Sequence, residues 1–286
     1  MDLTAQIIEA ITAWLGSVAT QLLGPALESA GQLVFATPAF DAIPEVGATW
    51  SLMRNVTDGL LLLALTAAGV MVMASGTFDS RYTAKVLVPR LVLAAVGANA
   101  SLALCGALIR LDNALVVGFM GPQPGSIVLR ELASMVLSGA GLNQVVGIAM
   151  SLATAVLAIL LVLLYIARDL VLLVLTVFGP LALAMYALPQ TDELARMWTR
   201  AYCSLLFVQV IQAVLITIAV QLLRRTDWLG GPVSDLTSGL VLLTLLYVLL
   251  KLPFAAYQWS FHNSFGQSAP VQSVLIAARS LKGAVA

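Results

Sequence analysis

The chain has 286 residues, of which 60% are hydrophobic and 10% charged, and its mean hydropathy is +1.00. That is more apolar side chain than a soluble fold of this length can hide, so the surplus must face lipid and a soluble enzyme is excluded. Fourteen Lys and Arg balance fourteen Asp and Glu, so no overall basic field gathers nucleic acid, and any contact with it has to be local.

At the start of the chain Leu3, Ile7, Ile11, Trp14, Val18 and Leu22 recur at spacings of three and four, with Ile8 and Leu15 widening the stripe. Gln6, Glu9, Thr12 and Gln21 lie opposite. The pattern predicts an amphipathic helix that lies on the membrane or packs on a partner, ending near Gly24-Pro25. Residues 1–50 are read as this interfacial region. No Lys or Arg precedes Arg54, so the basic flank of a secretory signal peptide is missing.

A transmembrane helical domain is read over residues 51–258. Its first span, 59–76, is GLLLLALTAAGVMVMASG, uncharged and long enough to cross the hydrocarbon core. Arg54 and Asp58 stand i to i+4 before it and predict a local pair. The second span, 86–109, carries Pro89 and Arg90 in its first turns and Asn99 and Ser101 near its middle. Arg90 is close enough to the membrane surface to snorkel. Residues 112–144 open turn-rich and continue as a loop helix bearing Arg130 and Glu131, partly embedded or re-entrant.

The apolar stretch 145–188 exceeds one ordinary span and is interrupted only by Arg168, Asp169 and the Gly179-Pro180 pair. Arg168 and Asp169 are adjacent, so they point to different faces and do not neutralise each other as an i to i+4 pair would. One of them needs a partner on another helix or an interface to emerge into. Spans at 205–223 and 236–252 follow, and a short tail, 259–286, closes the chain. Gln209 and Gln212 share a helical face, with Asn99 and Thr217 as partners for interhelical hydrogen bonds, a reading preferred over a polar conduit. Trp50, Trp198, Tyr202, Trp228, Tyr257 and Trp259 fall near span ends, where amphipathic rings lie.

Chemical motifs are missing. The sequence contains no Walker motif, dinucleotide fingerprint, His-Glu-x-x-His or Gly-x-Ser-x-Gly. Cys105 and Cys203 lie in apolar stretches and read as small apolar residues, and His262 is the only histidine. No catalytic, cofactor or metal site is expected. The intramembrane polar and structural positions are Arg90, Asn99, Arg168, Asp169, Gly179, Pro180, Gln209 and Gln212.

Three stretches in order, SLMRNVTDGLLLL, YTAKVLVPRLVLAAVGANASLALCGALIRLDN and ARDLVLLVLTVFGPLALAMYALPQTDELARMW, resemble the TrbL-like membrane components of bacterial conjugation and type IV secretion systems. The resemblance covers roughly residues 50 to 220, on Tyr82 to Arg90, Asn99-Ala-Ser101, Asp112-Asn113, Gly179-Pro180-Leu-Ala and Leu188-Pro189. It implies a non-enzymatic channel or scaffold subunit in the cytoplasmic membrane, in an oligomeric assembly with other channel subunits and ATPases, passing DNA or protein. Small residues from Gly69 to Ala103 let helices approach closely, as such a scaffold needs. The alternatives are a membrane anchor for a partner enzyme, or a secondary transporter or ion channel. A transporter predicts paired broken helices, and only the Gly179-Pro180 break is evident.

Charge leaves two topologies open. With five spans and an exterior N-terminus, Arg81, Lys85, Arg196, Arg200, Lys251, Arg279 and Lys282 are inside, and Arg54, Arg110, Arg130, Arg224 and Arg225 are outside. With six spans the chain turns at Arg168-Asp169 and the N-terminus is inside. The bias is similar in size, and both place the tail in the cytoplasm. The resemblance implies an exterior N-terminus and so favours five.

Overall fold

The computed structural model describes the backbone of residues 3–73, 84–121, 125–137, 144–188, 191–223 and 235–265, and among these every regular element is helical. In chain order they are α1 (Leu3–Phe35), a 3-10 turn (Phe40–Ala42), α2 (Pro44–Met73), α3 (Ala84–Met120), α4 (Gly125–Leu137), α5 (Gln144–Val177), α6 (Gly179–Ala184), a second 3-10 turn (Met185–Ala187), α7 (Asp192–Leu223) and α8 (Asp235–Phe265). Away from water a backbone satisfies its polar groups internally, and these Leu-, Val- and Ala-rich runs do so as helices. Among the described residues, Leu87–Met120, Val146–Val177 and Asp192–Leu222 are long and apolar enough to cross a membrane, and Gly239–Ala255 is a shorter apolar helix.

Several boundaries differ from the sequence reading, each for a physical reason. α1 does not end at Gly24-Pro25 but runs on to Phe35. Pro25 and Gln21, whose carbonyl loses its helical partner to the proline, are both exposed, so the lost bond falls on the outer face of the helix and does not end it. Of the predicted stripe, Ile11, Trp14 and Leu22 are exposed, and Leu15 and Val18 are half-buried. Trp14 is 64% exposed, and α1 packs on α5 through the face on which Leu27, Ala30 and Val34 are buried. α2 starts at Pro44, well before residue 59, because proline with its fixed φ is suited to a first helical position. Residues 74–76 of that predicted span lie outside the described residues.

α3 continues past Ile109, taking Asp112 and Asn113 out of the expected loop and into the helix. Gly121 ends it with φ +83°, a left-handed conformation in which its N–H donates to the Val117 carbonyl at 2.8 Å. α5 runs unbroken through Arg168-Asp169, so the chain does not turn there. No glycine or proline occurs between Gly147 and Gly179, and the break comes at Phe178, before Pro180, whose ring cannot follow the helical backbone. α8 continues past residue 258 to Phe265, with Pro253 inside it. Arg279 and Lys282 lie outside the described residues.

Two apolar cores result. One joins α1, the end of α3, α4, α5, α7 and α8 around Leu27, Val116, Leu129, Leu161, Ile216 and Leu246. The other joins α2, α3, α5, α6 and α7 around Phe40, Ile109, Leu172, Trp198 and Tyr202, with the last two rings stacked 5.3 Å apart. Gly179 permits the close approach of α6 to α3, since a Cβ there would stand 3.2 Å from that of Ser101.

Candidate functional site

A polar layer separates the two cores, and each chain segment that passes between them contributes to it. On α5 the order is Leu161 and Tyr165 in the first core, then Arg168 and Asp169, then Leu172 in the second. On α7 Gln209 falls between Leu206 and Val210, and on α3 Asp112 and Asn113 fall between Ile109 and Val116. The connection between α1 and α2 carries buried Thr37 between Phe35 and Phe40.

Arg168 is the centre, its side chain only 2% exposed. Its Nε donates to the Leu205 carbonyl at 3.1 Å, Nη1 to Thr37 Oγ1 and Asp169 Oδ1 at 3.1 Å each, and Nη2 to Gln209 Oε1 at 3.0 Å. The guanidinium also lies over the Tyr165 ring, 5.5 Å from its centroid. A planar fork of five donors suits this fan of acceptors, whereas a lysine ammonium would not. Thr37 passes the network on, its hydroxyl donating to Gln209 Oε1 at 2.5 Å.

Asn113 completes the layer by serving irregular backbone. Residues 36–39 are not helical, and a buried backbone without a ladder must find side-chain partners. Asn113 Oδ1 accepts from the Thr37 N–H at 3.0 Å while its Nδ2 donates to the Thr37 carbonyl at 2.9 Å. Gln209 Nε2 reaches the same Oδ1 at 3.4 Å. Arg168 therefore stands by the end of α1, where helix carbonyls lacking intrahelical partners favour a cation. Asp112 is 4% exposed, within the electrostatic reach of Arg168, and its Oδ2 has no hydrogen-bond partner.

The structure brings Arg168, Asp169 and Gln209 together, and places the other sequence-selected residues elsewhere. Arg168 and Asp169 pair directly despite being adjacent, at 3.1 Å between Nη1 and Oδ1, a correction to the expectation that neighbours on different faces do not neutralise each other, because the long arginine side chain has the reach to do so. Gln212 Nε2 donates to the Leu249 carbonyl at 2.9 Å, tying α7 to α8. Asn99 donates to Asp58 at 3.3 Å and to the Ala95 carbonyl, so it is not a partner of the glutamines. Thr217 bonds the Ala213 and Phe119 carbonyls. Arg54 lies over the Trp50 ring instead of pairing with Asp58. Arg90 reaches Asp192, and Gly179 and Pro180 are buried at the α5–α6 break.

Sequence reasoning missed Thr37 and gave Asn113 no structural part. A lone threonine after a helix carries no signal, but an Asp-Asn pair inside an otherwise apolar run was a usable one. Among the described residues no group of three or more His, Cys, Asp or Glu is placed to hold a metal. Cys105 and Cys203 are free thiols. What the layer can do chemically is fasten α5 to α7 and the α1–α2 connection with the charge-assisted hydrogen bonds of Arg168, and α3 to them with the neutral ones of Asn113, at mid-height of α7. The Gln209 position is about 25 Å along that helix from its start.

A family model for TrbL/VirB6 plasmid conjugal transfer-like proteins matches residues 1–286. The chain belongs to this family. Membership in the TrbL/VirB6 family makes it a component of a conjugation or type IV secretion apparatus, of a kind that is structural and set in the membrane, in keeping with its membrane-length apolar helices. Comparison with curated proteins and with solved structures gives no match.

Proposed function

We propose that this TrbL/VirB6-family chain is a non-enzymatic channel or scaffold subunit in the cytoplasmic membrane of a bacterium. It helps a conjugal transfer or type IV secretion apparatus pass DNA or protein, in an oligomeric assembly with other channel subunits and ATPases. The observation that carries this reading is the family match over the whole chain, supported by a buried polar layer in which Arg168 fastens helices to one another. A clean deletion is expected to abolish conjugation or substrate export while leaving small-molecule uptake unchanged, and normal transfer would reject it.

The same reading takes α2, α3, α5, α7 and α8 as five spans with the N-terminus outside. The unbroken course of α5 through Arg168-Asp169 supports it. In a variant without Cys105 and Cys203, a cysteine at exposed Ser134 of α4 then reacts with an impermeant thiol reagent from outside, and one at Ser280 does not. The reverse pattern would overturn this topology.

A further inference from the structure

We propose that the cavity between α3, α6 and α7 binds the phosphate headgroup of an anionic phospholipid. The cavity holds about 410 Å³ and is lined by Arg90, Leu93, Leu183, Tyr186, Asp192 and Arg196 among others. Two arginines from different helices converge there on one carboxylate oxygen: Arg196 Nη2 stands 2.7 Å and Arg90 Nη1 3.5 Å from Asp192 Oδ2. The three side chains together keep one positive charge. Each guanidinium has five N–H donors, and a single contact of each is satisfied by this shared oxygen. Both side chains remain accessible, at 34% and 58%.

The surroundings select lipid over other phosphates. Arg90 and Asp192 lie in the first turns of membrane-length apolar helices, a depth at which lipid phosphates sit, and basic pockets between helices at that depth hold anionic headgroups. The cavity wall below the arginines is apolar, and Leu93 is 70% exposed, offering an acyl chain a surface directly beneath the charge. A free anion has no use for that wall, and a nucleic-acid strand would leave it uncovered. The inference needs only the membrane location, so its failure would leave the secretion reading untouched.

The test uses the purified full chain in neutral detergent, with phosphatidylglycerol, phosphatidylcholine, inorganic phosphate and a short single-stranded oligonucleotide as probes, read by native mass spectrometry. Phosphatidylglycerol is expected to bind in preference to phosphatidylcholine. The double substitution Arg90→Gln/Arg196→Gln should weaken that binding about tenfold or more, since each removes a charge-assisted bond, whereas Asp192→Asn should retain it. A photoactivatable phosphatidylglycerol on the unaltered protein supplies a second readout that does not depend on the folding of the double variant, and it should label the peptides containing Leu93 and Leu183. Equal binding of both lipids, full displacement by millimolar inorganic phosphate, displacement by the oligonucleotide, or labelling elsewhere would each overturn the proposal.

Discussion

The Arg168 layer and the Arg90–Asp192–Arg196 cluster use the same groups, arginine against aspartate, in opposite surroundings. Arg168 is 2% exposed and binds partners from two other segments of the chain, α7 and the α1–α2 connection. Arg196 is 58% exposed and shares its aspartate with Arg90 one helix away. Where water competes, an ion pair contributes little and its donors stay available to a ligand. Where water is excluded, each donor must be matched, and an arginine so matched fixes the relative height of the helices that touch it. The exposed arrangement suits recognition and the buried one suits assembly.

The comparison is broken most directly at its buried end. Arg168→Leu strips Asp169 of its partner and leaves Gln209 and Thr37 short of a donor, so a loss of about 3–5 kcal/mol is expected from the uncompensated charge. Denaturant unfolding of the detergent-solubilised protein measures it, and a loss below about 1 kcal/mol would show that the layer does not hold the bundle. Asn113→Ala should cost less, about 1–3 kcal/mol, by leaving the Thr37 N–H and carbonyl without their partner. Faster hydrogen exchange at the amide of residue 37, with the ends of α7 unchanged, would place that loss at the connection. At the exposed end Asp192→Asn should cost under about 1 kcal/mol, and its small effect should fade further in high salt. A loss as large as that of Arg168→Leu would erase the distinction.

The helices were legible in the sequence to different degrees. The extent of α5 follows from a run without glycine or proline that ends at Gly179-Pro180, and hydropathy finds the cores of α3, α7 and α8. The end of α1 was not legible, because a proline signals a break only when its ring or its missing bond cannot be accommodated, and the surroundings of Pro25 decide that. Nor was the face by which α1 packs on the bundle legible. The strongest apolar stripe, through Ile11, Trp14 and Leu22, stays exposed, since in a chain with so much apolar surface the small residues Ala26, Ala30 and Gly31 decide which face approaches. A Cβ on Gly31 would collide with the backbone at Ser126, which is how closely α4 lies on α1.

By itself the sequence determined that the protein is all-helical, lives in a membrane and resembles a conjugation component, because hydropathy, helix breakers and motif order are properties of neighbours along the chain. It also singled out Arg168, Asp169 and Gln209 as polar groups needing partners. Only the tertiary structure decided who those partners are. Thr37 and Gln209 are separated by 172 positions, and Thr37 and Asn113 by 76, and no local pattern encodes a contact at such range. The partner of a buried donor is set by which helices pack side by side and at what height, and that is fixed only when both apolar cores close around the layer.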